Sequence, residues 1–96
     1  MRIVIRGELV KLPSDVHDQL ASQLEFGAFY SQNLDALWDR LSTDVERPLH
    51  LVWTNSGMSQ VSLGPEVFER FRSLLFRVVA QDESWGLAER FTLEFT

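Results

Sequence analysis

The chain has 96 residues, 45% of them hydrophobic and 24% charged, with a net charge of −5. That length holds one core, and the composition is too apolar for a disordered chain. There is no cysteine, which excludes disulfides and thiolate metal sites and suits a reducing cytosol. Met1 to Arg6 is too short and too charged for a signal peptide, and no run reaches the ~18 apolar residues of a membrane span. A soluble, cytoplasmic protein folded as a single domain over residues 1–96 is expected.

Met1–Arg6 is rich in Ile and Val and predicts a strand, with Gly7–Val10 as a turn and short extension. Pro13-Ser14-Asp15 predicts a helix start, Ser14 as N-cap and Asp15 in the first turn. Val16, Leu20, Ala21 and Leu24 then form an apolar stripe to about Glu25, with Gly27 as the stop signal. Ala28–Gln32 is a loop, and Asn33 caps a second helix from Leu34 to Ser42 or Thr43. Pro48 keeps the next connection out of a helix. Leu49–Thr54 is apolar enough for a central strand. Asn55-Ser56-Gly57 is turn chemistry, and Met58–Leu63 is either a short helical turn or irregular. Pro65 suits the first position of a helix whose core stripe, from Val67 to Val79, predicts an end near Ala80. Asp82–Gly86 is a loop, and the strict alternation of Arg90–Thr96 is a last strand. Helical crossovers between strands favour parallel pairing. The expected architecture is α/β: a three-stranded, mainly parallel sheet packed against three to four helices.

The second helix carries the unusual charge. Residues 25–46 hold five acids, Glu25, Asp35, Asp39, Asp44 and Glu46, against Arg40 alone, so this stretch carries −4 of the −5. Leu34, Leu37, Trp38 and Leu41 make its apolar stripe, and Asp35 and Asp39 stack on a neighbouring face. Like charges four apart cost a helix roughly 0.2–0.5 kcal/mol. The helix dipole returns part of that at Asp35, less at Asp39. Such a field repels nucleic acid and attracts basic partners, although an acidic face also serves solubility alone.

Catalytic chemistry is not legible here. No HExxH, calcium loop, Gly-rich phosphate loop or GxSxG occurs, and an acid/base pair of carboxylates needs a cleft with opposed environments. His17 and His50 are isolated, which argues for packed structural histidines and against a metal site. Trp53 belongs to the core, Trp85 lies in a loop, and Trp38 divides evenly between core and interface. Tyr30 either joins Phe29 in an exposed contact loop or packs under the acidic helix. Phe76 lies opposite the core stripe of its helix, as a lone exposed ring or a second contact. Glu66/Arg70 and Glu69/Arg72 are spaced as helix-surface ion pairs.

Tyr30-x-x-Asn33-Leu34-Asp35-Ala36-Leu37-Trp38-Asp39, followed by Leu41, Pro48-Leu49 and Trp53, resembles the barstar family, small intracellular inhibitors of barnase-type ribonucleases. The resemblance is strong over residues 28–53, and the element order matches throughout. It implies a partner-binding surface of Phe29, Tyr30, Asn33, Leu34, Asp35, Trp38, Asp39, Thr43 and Asp44. On that pattern Asp39 sits where a substrate phosphate goes, and Asp35 pairs with a second basic group. Three positions depart from the family. Phe29 stands for a tyrosine and Asp44 for a tryptophan, and Ser73 aligns with a glutamate of the last helix. The resemblance implies no cofactor, and a chain monomeric when free. Its partner would be a secreted ribonuclease of the barnase type or a related basic toxin. The rival expectation is a regulatory domain binding another basic protein.

Overall fold

Ile3 and Ile5 turn to one side of the first strand and are buried, while Arg2 and Arg6 turn outward and are exposed. In the computed structural model, which describes residues Met1–Thr96, this strand is β1 (Arg2–Arg6). The chain continues through a 3-10 turn (Gly7–Leu9), α1 (Pro13–Leu24), α2 (Leu34–Asp39) and β2 (Leu49–Thr54). It then forms α3 (Ser56–Leu63), α4 (Pro65–Ser84) and β3 (Phe91–Phe95). The sheet order is β1-β2-β3 and both pairings are parallel, so the α/β expectation holds and the sheet is wholly parallel.

The register stacks the core in rows. Ile3, Leu51 and Leu93 share one level, and Ile5, Trp53 and Phe95 the next. Trp53 is fully buried, its ring centroid 5.3 Å from Phe68 and 5.9 Å from Phe95. Its indole Nε1 donates to Ser59 Oγ (2.9 Å), which donates to the Gly7 carbonyl (3.0 Å). This approach requires Gly7: a Cβ there would collide with the Thr54 carbonyl oxygen and stand 2.7 Å from Ser59 Oγ. The free edge of β1 is covered by two side chains of α1, four residues apart. Gln19 bonds the N–H and C=O of Arg6, and Gln23 those of Val4. They satisfy backbone groups that an open edge would offer to another chain.

Several local expectations need correction. The N-cap of α1 is Leu12, not Ser14, because the Asp15 carboxylate reaches back to the Lys11 and Leu12 N–H groups (2.8 and 2.9 Å). The helix ends at Glu25, which takes the left-handed conformation (φ 56°) two residues before Gly27. Residues 58–63 are helical, as part of α3. Of the two expected ion pairs on α4, Glu69–Arg72 forms at 3.3 Å, and Glu66 and Arg70 stay beyond 4.0 Å. His17 is packed as expected, but His50 lies half-exposed on the polar sheet face. There it meets Thr92 Oγ1 at 2.7 Å and Glu94 at 3.4 Å. Trp85 is exposed.

The largest correction is at Asp82. It is not in a loop: α4 runs on to Ser84, and Asp82 is 1% exposed in its last turn. Arg47 donates to it from Nε (2.7 Å) and Nη2 (3.3 Å), and so does the Phe91 N–H (2.7 Å). Arg47 also donates to the Leu41 and Val45 carbonyls. Burial alone would raise the Asp82 pKa. The Arg47 and Phe91 hydrogen bonds and the charges of Arg47 and Arg90 outweigh it and hold the carboxyl below its ordinary value. Asp82→Ala strands the Arg47 cation and the Phe91 N–H, an expected loss of about 3 kcal/mol in urea unfolding. Because the folded pKa is depressed, the stabilisation is present above the ordinary carboxylate range and lost as pH falls through the lowered value. The acid limb of the stability–pH curve is therefore expected to flatten in Asp82→Asn.

Candidate partner-binding site

The acidic helix is built as its sequence dictates. Asn33 is extended (φ −140°), and its side-chain oxygen accepts the Ala36 N–H at 2.8 Å, a regular N-cap. Leu37 and Leu41 are fully buried and fix the helix on the core. After Asp39 the turns widen to π geometry over Arg40–Asp44, closed by the Val45 N–H on the Arg40 carbonyl (3.1 Å). The helical run thus extends one residue past Thr43. The Thr43 hydroxyl donates to the Asp39 carbonyl (2.6 Å) and lies 3.1 Å from Asp44 Oδ1.

Asp35, Asp39, Thr43 and Asp44 are all exposed on this run, and Phe29 is 97% exposed on the preceding loop. Leu34 and Trp38 are half-buried against the core. The cation of the stretch is turned away from Asp35 and Asp39. Arg40 donates to the Phe26 carbonyl (2.8 Å), lies over the Phe26 and Tyr30 rings, and approaches Asp44 at 3.7 Å. Asp35 and Asp39 consequently have no protein cation within 4.0 Å.

Of the two placements open to Tyr30, the structure shows packing beneath the helix. Its hydroxyl is 2.6 Å from His17 Nδ1 and its ring centroid 4.8 Å from Phe26. His17, 3% exposed, is also edge-on to Phe71. Burial pushes the Tyr30 pKa up to about 12, with the Arg40 charge opposing, so the phenol keeps its proton. Burial likewise lowers the His17 pKa against the pull of Asp18. In the Nε2–H tautomer of neutral His17, the phenol donates to Nδ1.

One wall of this surface was flagged in the sequence only at Ser73, through the family resemblance. Leu34, Asp35 and Trp38 form one side of an open groove of about 770 Å³, and Glu66, Glu69, Arg70, Ser73 and Arg77 of α4 form the other. The polar stripe at Glu66, Arg70, Ser73 and Arg77 has helical spacing. Only the tertiary contact between α2 and α4 turns it toward the acidic helix. Phe76 is 42% exposed, beyond the core stripe as expected, with its ring 5.9 Å from Phe95 and Arg72 over it.

Residues 1–94 match the family model described as Barstar (barnase inhibitor). The chain belongs to the barstar family. It is also similar to the candidate ribonuclease inhibitor YrdF of Bacillus subtilis (strain 168), with 41% identity over 63 residues, covering 66% of this chain and 69% of that protein. The barstar-like element order and the acidic string at 33–39 therefore occur in one fold with the parallel sheet described above.

The His17–Tyr30 bond pins the loop of this barstar-family chain to α1. Tyr30→Phe leaves Nδ1 without its donor, with an expected cost of about 1 kcal/mol in thermal unfolding and faster amide exchange over residues 26–33. Since the folded pKa of His17 lies below its unfolded value, its contribution is lost as pH falls from about 6.5. The difference between wild type and His17→Gln is expected to shrink over that range.

Proposed function

We propose that this chain is an inhibitor of a secreted ribonuclease of the barnase type, acting in the cytoplasm as a single domain that is monomeric when free. It blocks the enzyme's basic active site with α2 and the loop before it, uses no cofactor, and catalyses nothing itself. The carrying observation is the pair Asp35 and Asp39. Both are exposed on a capped helix anchored by Leu37 and Leu41, and no protein cation answers either. Membership of the barstar family and the name of the Bacillus relative support a ribonuclease as the target.

A site shaped for phosphates is a basic cleft. Carboxylates presented from a rigid element meet it with little ordering cost. The Asp35/Asp39 repulsion, unfavourable in the free protein, is relieved when cations dock. Phe29, Leu34 and Trp38 supply apolar area around these charges, Asn33 holds the helix start, and Thr43 and Asp44 close the far end. Tyr30 supports this surface from beneath. Phe29 and Asp44 are where the partner's identity would be read, since each changes the chemistry of the family's contact surface.

Asp39→Ala strands a cation of the enzyme in the interface. Inhibition of RNA cleavage by a barnase-type ribonuclease is expected to weaken by about 3 kcal/mol, roughly a hundredfold, with the loss in the dissociation rate. An unchanged dissociation rate would overturn the reading. Wild-type association is also expected to slow steeply with added salt; a salt-independent rate would indicate a mainly apolar interface.

A further inference from the structure

The α4 wall of the groove carries both signs, Arg70 and Arg77 beside Glu66 and Glu69, where the α2 face is acidic. The Arg77 guanidinium lies 4.6 Å from the centroid of the Trp38 ring, held there by cation–π attraction. Arg70 stands seven residues earlier, two helical turns or about 10 Å along the same face, with Ser73 between them. Neither arginine has a carboxylate within 4.0 Å. Glu69, which lines the same wall, is taken: it pairs with Arg72 at 3.3 Å and accepts the Ser73 hydroxyl at 3.0 Å. The wall therefore offers two guanidiniums with open donors, one of them positioned by an indole, beside an otherwise acidic surface.

A guanidinium over an aromatic ring keeps its N–H fork for a planar acceptor, and carboxylates match that fork in two parallel bonds. Asp35 lines the opposite wall and repels a carboxylate while Arg77 attracts it, so an acidic group gains only where it meets the guanidinium fork directly. We propose that Arg77, with Arg70, receives a carboxylate side chain of the ribonuclease. The interface is then two-signed: Asp35 and Asp39 face the enzyme's basic centre, and the α4 arginines face an Asp or Glu at its rim. The groove selects among ribonucleases by that rim charge. This rests on the inhibitor reading above and adds to it a sign at a second place.

The test is a double-mutant cycle on a barnase-type ribonuclease that the wild-type chain inhibits. Each Asp and Glu on the face that the inhibitor covers is truncated to Ala and assayed against wild type, Arg77→Ala and Arg77→Glu. Circular dichroism and thermal unfolding confirm that each inhibitor variant folds. One enzyme carboxylate is expected to couple to Arg77, the double change weakening inhibition about tenfold less than the product of the single changes. Arg77→Glu is expected to weaken inhibition more than Arg77→Ala does. Absence of coupling at every enzyme carboxylate, with Asp39→Ala still weakening inhibition, would overturn the two-signed interface and leave the inhibitor reading standing. If the wild-type chain inhibits no barnase-type ribonuclease, both fall together.

Discussion

The structure depends on one buried ion pair. Asp82, in the last turn of α4, and Arg47, just before β2, join the end of the acidic helical run, the start of β3 and the long helix at one point. Removing two charges from water is costly, and the pair is held because four of the five guanidinium N–H groups and both carboxylate oxygens have partners. Arg47 serves two carbonyls besides the carboxylate, and Asp82 takes a backbone N–H besides the guanidinium. An apolar pair of the same volume could be as stable. It could not fix the carbonyls at Leu41 and Val45, and those fix where the π turn after Asp39 ends.

That anchoring also explains how α2 holds its shape. α2 is short, only six residues before its turns widen, and a helix of that length does not persist alone in water. It persists here because Leu37 and Leu41 are buried, Asn33 caps one end and Arg47 holds the other. With both ends held from inside, the outer face is free to carry Asp35 and Asp39, whose repulsion the helix dipole offsets only in part. Asp35 and Asp39 are the residue of that freedom, and preorganised carboxylates of this kind lose little entropy on binding.

Most of the fold was legible in the sequence, because period-2 and helical stripes are local and the crossovers they imply are parallel. The central position of β2 followed from its high apolar content, despite His50. What was not legible is long-range polar pairing. Asp82 looks like a loop residue because nothing within ten positions of it announces Arg47, 35 residues away. Ser14 looks like the N-cap until the Asp15 carboxylate is seen to reach backward past it. At the site, Asn33, Asp35 and Asp39 could be placed from spacing alone, since they share one short helix. Tyr30 could not, since its orientation is decided by the Nδ1 of His17 on a different helix. Apart from Ser73, which the family resemblance flagged, the α4 wall could not either: its stripe reads as an ordinary solvated face until α2 is packed beside it.

Two arginines then decide what charge the surface presents, and they do so in opposite ways. Arg40, within the acidic stretch, would neutralise it if it lay outward. Its bond to the Phe26 carbonyl, its place over two aromatic rings and its approach to Asp44 hold it away from Asp35 and Asp39, so those two carboxylates stay unpaired. Arg77 comes from another helix, and the Trp38 ring draws it toward α2. In both cases an aromatic ring sets the position of a cation, at a strength of about 1 kcal/mol or less at exposed sites. Interactions this weak cannot decide the fold, but they are large enough to decide which side of a helix a charge occupies. The placement of these two cations is therefore set in part by Phe26, Tyr30 and Trp38. A change of ring at Phe26, Tyr30 or Trp38 removes part of what holds the neighbouring cation in place.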